Sequence, residues 1–191
     1  MNMIQMLNQQ KFNDSELIIS WIKKDPYRME LLRAARELDL SQWCLAAGFV
    51  RNLVWDKLHG YTQPTALSDI DLIYFDPYNL CEEHEKALEA RLNTLVSAPW
   101  SVKNQARMHL RNGDQPYSST LDAMAYWVEV ETAIGARICN LHQVEVVSPF
   151  DVIIDGPRAT INPKRPKLND FLSRIENKNW TKIWPDLTIT R

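Results

Sequence analysis

The chain has 191 residues, 45% of them hydrophobic and 24% charged, with a net charge of −2. That is chain enough for one domain with a full core, and the composition is ordinary for a soluble globular protein. Cys44, Cys81 and Cys139 are too few and too widely spaced for a disulfide framework or a zinc signature, and His59, His84, His109 and His142 are equally scattered. The longest apolar runs, such as Cys44 to Ala47, are far too short to cross a bilayer, so no membrane partner is expected. The start, Met1 to Gln5, lacks the basic and apolar regions of a secretory signal, and the expected location is cytoplasmic.

In chain order, Asn13, Asp14 and Ser15 offer N-caps for a helix carrying Leu17, Ile18, Trp21 and Ile22 at helical spacing. Pro26 punctuates, and Leu31, Leu32, Ala35 and Leu38 mark a second helix. Trp43 to Ala47 suits a short buried strand ending at the Gly48 turn. Phe49 to Leu58 returns to helical periodicity and Gly60 supplies its stop. A strand is expected over Ile70 to Phe75, then an amphipathic helix over Glu82 to Val96 with Ala87, Leu88, Leu92 and Leu95 on one side. Trp100 to Met108 reads as a strand followed by an Asn112-Gly113 turn, and Thr120 with Asp122 starts a short helix through Trp127. Gly135 to Ile138 and Gln143 to Val147 read as strands flanking a turn. From Pro149 onward the chain reads as irregular, with one helix over Leu168 to Asn177.

Three parts of one domain are expected: N-terminal helices over 1–40, a core over 41–150 and a basic C-terminal segment over 151–191. From Arg158 to the end there are eight basic residues against three acids, a net +5 that leaves −7 for the remainder. Such a segment can meet RNA or a triphosphate, or simply pack as a solvated tail against the acidic body.

Asp69 and Asp71 are two apart on an expected strand, so alternation points both carboxylates to one face and Ile70 and Leu72 to the other. Two carboxylates so close repel unless a cation sits between them, and Mg²⁺ (or Mn²⁺) suits an all-oxygen site completed by phosphate. Alone, the pattern would equally describe solvated acids at a strand end. Gly48, between a strand and a helix, leaves helix amides free for a phosphate and lets it approach the backbone. Arg51, one turn on, either adds a charge-assisted contact or pairs with Asp56. Lys103 and Arg107 either project into the cleft or form the solvent face of an edge strand.

The segments Ala47-Gly48-Phe49-Val50-Arg51-Asn52-Leu53-Val54-Trp55 and Asp69-Ile70-Asp71-Leu72 resemble the G-G-x-V-R-D … D-I-D-L pattern of tRNA CCA-adding enzymes, members of the polymerase-β-like nucleotidyltransferase superfamily. Together with Lys103 to His109 and Pro116 to Thr120, they resemble more closely a family of small, mostly bacterial nucleotidyltransferase-like proteins, over about Trp43 to Trp184. The resemblance implies an α+β fold, a small mixed sheet flanked by helices, and Mg-dependent transfer of a nucleoside monophosphate from an NTP to a hydroxyl. The acceptor, whether small molecule, protein or RNA, is left open. It implies metal on Asp69 and Asp71; beside it, the residues themselves make Gly48, Arg51, Ser68, Lys103 and Arg107 the expected phosphate-binding positions.

The superfamily's third acid has no obvious counterpart, because the Trp100–Met108 segment offers Lys103-Asn104-Gln105. Asn104, Asp122, Glu129 or Glu131 is left to take that position. Asn52, where the CCA pattern has Asp, and Ala47, where it has Gly, are further departures, and the chain is short for tRNA-binding domains. A non-catalytic nucleotide- or RNA-binding protein that retains the fold is the alternative. His109 is a candidate base or a structural histidine, and Trp180 and Trp184 are candidates for stacking on bases or for packing.

Overall fold

The computed structural model describes residues 14–139 and 142–191. The Asn13 cap and the Met1–Gln5 start lie outside those residues. A first helix, α1, runs over residues 14–23. Helix α2 (Pro26–Arg36) has its proline in the first turn and Asp25 as N-cap, whose carboxylate accepts from the Arg28 amide at 3.0 Å. Arg28 is itself buried and donates from Nε to the Phe49 carbonyl at 2.9 Å, tying α2 to the segment that carries the glycine turn.

Strand β1 (Cys44–Ala46), helix α3 (Gly48–Leu58), strand β2 (Ile70–Tyr74), helix α4 (Glu82–Leu95) and strand β3 (Trp100–Asn104) follow. After them come helices α5 (Gln105–Asn112) and α6 (Thr120–Met124), a 3₁₀ turn at Val130–Thr132, and strands β4 (Gly135–Ile138) and β5 (Val144–Val147). The five strands form a mixed sheet in the order β3-β2-β1-β4-β5, with β2 and β3 parallel through the α4 crossover and the other pairs antiparallel. The fold is α+β.

Alternation sorts the sheet's two faces. Leu45, Ile70, Leu72, Tyr74, Val102 and Ala136 point into the main core with Ile18, Leu31, Phe49, Leu88 and Leu92 from the helices. Cys44, Ala46 and Ile73 point the other way, where they meet Met124 and Ala133. Asp71 lies between Ile70 and Leu72 and therefore faces away from the helix layer. In α4 the buried stripe is Glu85, Leu88 and Leu92, whereas Ala87 and Leu95 are exposed.

Two expectations are corrected. The strand predicted over Trp100 to Met108 ends at Asn104, whose side chain accepts from the Ala106 amide at 3.1 Å and caps α5. The segment after Pro149 is not irregular around a single helix. It contributes β6 (Arg158–Thr160), α7 (Leu168–Asn177), the short α8 (Trp180–Ile183) and β7 (Thr188–Thr190), with β6 and β7 paired in parallel. These elements close a second core of Trp55, Ala159, Ile161, Phe171, Ile175, Trp180, Trp184 and Leu187. No helix among the described residues is long and apolar enough to cross a membrane.

Candidate active site

Registry places the acidic pair. Asp71 sits opposite Ala46 of β1 on one side and Ser101 of β3 on the other, and Asp69 lies one residue before β2 begins. Asp69 accepts from the Ser68 hydroxyl at 3.1 Å. Burial, and then the charge of Asp69, raise the Asp71 carboxyl above its ordinary value of 3.8, against a hydrogen bond from Ser101 and the more distant cations Lys178 and Arg51. A carboxylate so placed gains from a bound cation, and this donor set of oxygens suits a divalent metal.

The pair does not open on one shared cavity. Asp71 lines a cavity of about 510 Å³ with Ala47, Lys103, Glu129, Thr132 and Arg174. Asp69 lines one of about 310 Å³ with Gly48, Asn52, Ser68, Lys178 and Trp180. Arg51 also lines the smaller one, beside the turn that separates the two.

That turn carries the strain of the site. Ala47 is the N-cap of α3 with φ 54° and ψ −120°, a combination that favours glycine, and no side chain caps the helix. The Val50 and Arg51 amides return to the Ala47 carbonyl at 3.2 and 3.0 Å. Gly48 itself has no positive φ; a Cβ there would sit 3.5 Å from Arg51 and 3.6 Å from Asn52, in ordinary contact. The positive-φ position of this turn thus belongs to Ala47 and not to Gly48.

Arg51 is buried, not extended toward solvent. It donates to Asn52 Oδ1 at 2.9 Å and Thr132 Oγ1 at 3.3 Å, and its guanidinium lies 5.1 Å from the Trp55 ring and 4.6 Å from the Trp180 ring. Burial lowers its pKa to about 10, with Glu129 opposing that shift, so it stays charged at neutral pH behind the aspartates. It does not pair with Asp56, which takes Thr65 and the Trp184 indole N–H at 2.8 Å. Trp180 and Trp184 are each 1% exposed, so both pack in the core and neither offers a face for stacking on a base.

Arg107 is not brought to the cavities. With β3 ending at Asn104, Arg107 falls on α5 and grips Glu85 at 2.6 and 2.8 Å and Glu82 at 2.7 Å. Lys103 does line the larger cavity, while its ammonium turns to the Val102 carbonyl at 2.8 Å and toward Glu85 and Glu89. Asn104 is consumed structurally, donating to the Asp76 and Asn79 carbonyls at 2.7 and 2.8 Å. His109 hydrogen-bonds within its helix to the Ala106 carbonyl.

Of the candidate third acids, Asp122 holds the Ser118 amide and hydroxyl at 2.9 and 3.1 Å. Glu131 binds Thr160 at 2.7 Å through both its oxygens. Glu129 alone lines the cavity with Asp71. It is 1% exposed, accepts from Arg174 Nε at 2.6 Å, and leaves Oε2 buried with no hydrogen-bond partner among the described residues. Arg174 and Lys178, the latter 3.7 Å from Asp69, carry no individual signal in the sequence, where the +5 segment reads only as a block.

A solved structure, an NMR structure described as revealing a CCA-adding enzyme head domain, is 29% identical and superimposes with a TM-score of 0.78. The likeness covers 91% of this chain and 94% of that one. No curated protein matches. The model of a family described as nucleotidyltransferase matches residues 33–189. That span takes in the strained turn, the aspartate strand and the helix that carries Arg174, and by it the chain belongs to the nucleotidyltransferase family.

Proposed function

We propose that the protein transfers a nucleoside monophosphate from an NTP to a hydroxyl of an acceptor, with Mg²⁺ or Mn²⁺ held by Asp69 and Asp71. The observation that carries this reading is the paired charge at the start of β2. Asp71, partly buried and further discouraged from ionising by Asp69, forms no ion pair among the described residues. A divalent ion there would neutralise both carboxylates, polarise the α-phosphate and ease departure of pyrophosphate.

The chain's own groups supply the rest. The uncapped first turn of α3 at Gly48 points amides toward phosphate, with Ser68 beside it in the same cavity. Arg51, fixed between two indoles, supplies a buried positive charge at the wall of the phosphate cavity. Glu129 is the acid best disposed to complete the pair, through its unengaged Oε2. The larger cavity, which Lys103, Arg165 and Arg174 also line, suits the acceptor or the nucleoside.

Purified protein given labelled NTPs and Mg²⁺ is expected to bind nucleotide and release pyrophosphate with a suitable acceptor. The Asp69→Ala, Asp71→Ala double variant is expected to lose the metal-dependent part; an unchanged metal response would refute the reading. One observation favours a second reading. Among the described residues no three acidic, histidine or cysteine side chains converge tightly enough to hold an ion together. A nucleotide-binding protein without turnover would show metal-dependent binding and no pyrophosphate release with any acceptor.

A further inference from the structure

Helix α7 delivers two cations to the two acidic positions, and their geometries differ in a way that separates their roles. Arg174 Nε stands 2.6 Å from Glu129 Oε1, and although the arginine is 37% exposed its carboxylate partner is only 1% exposed, so the pair is short and the acid sheltered. Lys178, one turn later, stands 3.7 Å from Asp69 Oδ2, with the two side chains 39% and 45% exposed. An ion pair that long and open shifts an equilibrium by less than about five-fold and is readily exchanged. Lys178 is the C-cap of α7, its amide on the Arg174 carbonyl at 3.0 Å, and the left-handed Asn179 then turns the chain into α8. The cation is therefore held over the cavity by the helix end, whose partial negative charge favours it, even when Asp69 lets go.

Gly48, Asn52 and Ser68 line that same cavity of about 310 Å³ with Asp69 and Lys178. Resting on the metal and nucleotide reading above, we infer that Lys178 is an exchangeable counter-ion. It holds Asp69 before the site is loaded and swings to a phosphate oxygen of the incoming nucleotide, freeing the aspartate for metal. Lys178 then opposes metal when nucleotide is absent and assists nucleotide binding. By linkage, the nucleotide raises metal affinity by the factor with which metal raises nucleotide affinity, and Lys178 carries part of that coupling.

The test compares intact chains by calorimetry, with Mn²⁺ alone and with a nonhydrolysable ATP analogue in the presence of EDTA. Lys178→Met is expected to bind Mn²⁺ about two- to five-fold more tightly. The same variant is expected to bind the analogue about ten-fold more weakly, the loss of one charge-assisted contact. Lys178→Arg should restore both affinities to near the wild-type values. Lys182→Met, which makes the same charge change on α8, should leave both where they were. Mn²⁺ affinity that is unchanged or weaker in Lys178→Met overturns the proposal, as does an equal rise in Lys182→Met. Failure of the underlying reading is distinct: Mn²⁺ binding by the wild type would then survive the Asp69→Ala, Asp71→Ala double substitution.

Discussion

Arg174 and Glu129 meet through only half of the carboxylate: Nε donates to Oε1 at 2.6 Å, while Oε2 is buried and accepts nothing from the described residues. A buried oxygen without a partner costs free energy, and such costs persist where a site uses the group. Glu129→Gln keeps the shape and an acceptor for Arg174 but removes the charge. Turnover is expected to fall about 10–100-fold while nucleotide binding is retained, the pattern of a lost supporting group at a metal site. Pyrophosphate release beside equilibrium nucleotide binding checks it, and equal loss of both would mark Glu129 as merely structural.

Asp71 ties the site to stability. Its folded-state pKa lies above the ordinary 3.8, so the folded protein holds that proton more tightly than the unfolded chain does. Stability from this group is complete below pH 3.8 and is lost as pH rises through the folded value. In metal-free buffer at neutral pH, Asp71→Asn is therefore expected to raise Tm by about 2–4 °C, the shift for roughly 1 kcal/mol in a domain of this size. The advantage should vanish as pH approaches 3.8. The same sign governs metal: protons compete at higher pH than for a free aspartate, so Mn²⁺ affinity falls early on acidification.

Ala47 occupies a backbone region that suits glycine. Relief of strain there is worth about 1–3 kcal/mol, less the greater freedom of glycine in the unfolded chain. Ala47→Gly is expected to stabilise by about 1 kcal/mol net. Denaturant midpoints at constant slope are the measurement, and a loss of stability would mean that the Ala47 methyl contributes packing that outweighs the strain.

Gly135 is required for a different reason, close approach. A Cβ there would stand 2.7 Å from Cys44 Sγ and 3.1 Å from both Cys44 Cβ and the Leu45 carbonyl oxygen. Gly135→Ala is expected to cost about 1–3 kcal/mol. Adding Cys44→Ala removes the Sγ contact and should recover part of it, leaving the contacts with Cβ of residue 44 and the Leu45 carbonyl, and thermal melts of the double variant separate the two contributions.

Local patterning made much of this legible. The strand before Gly48, the helix after it, the β2 acids and the β4–β5 pair all follow from alternation and turn chemistry. Asn104 defeated the strand-length expectation, because one side chain capping α5 outweighs the continuing apolar rhythm of Ala106 and Met108. Arg107 then left the cleft with it. The C-terminal strands were hidden because three-residue segments such as Arg158–Thr160 carry no periodic signal, and only pairing with Thr188–Thr190 defines them. Glu129 among three candidate acids could not be singled out from sequence, since its neighbours Asp71 and Arg174 are set by tertiary closure.

The sandwich of Arg51 between Trp55 and Trp180 has a consequence for the order of assembly. The links that support the site are long in sequence: Arg51 reaches Thr132 across 81 positions, and Trp184 reaches Asp56 across 128. Contacts of such separation form late, after the local helices and the β2–α4–β3 unit. On a ribosome, the aspartates would emerge and pair into their sheet well before α7 and α8 arrive to place Arg174, Lys178 and Trp180. A nascent chain would carry bare acids without the positive wall that tempers them. The proposed nucleotide site would thereby be assembled only once α7 and α8 have folded onto the sheet.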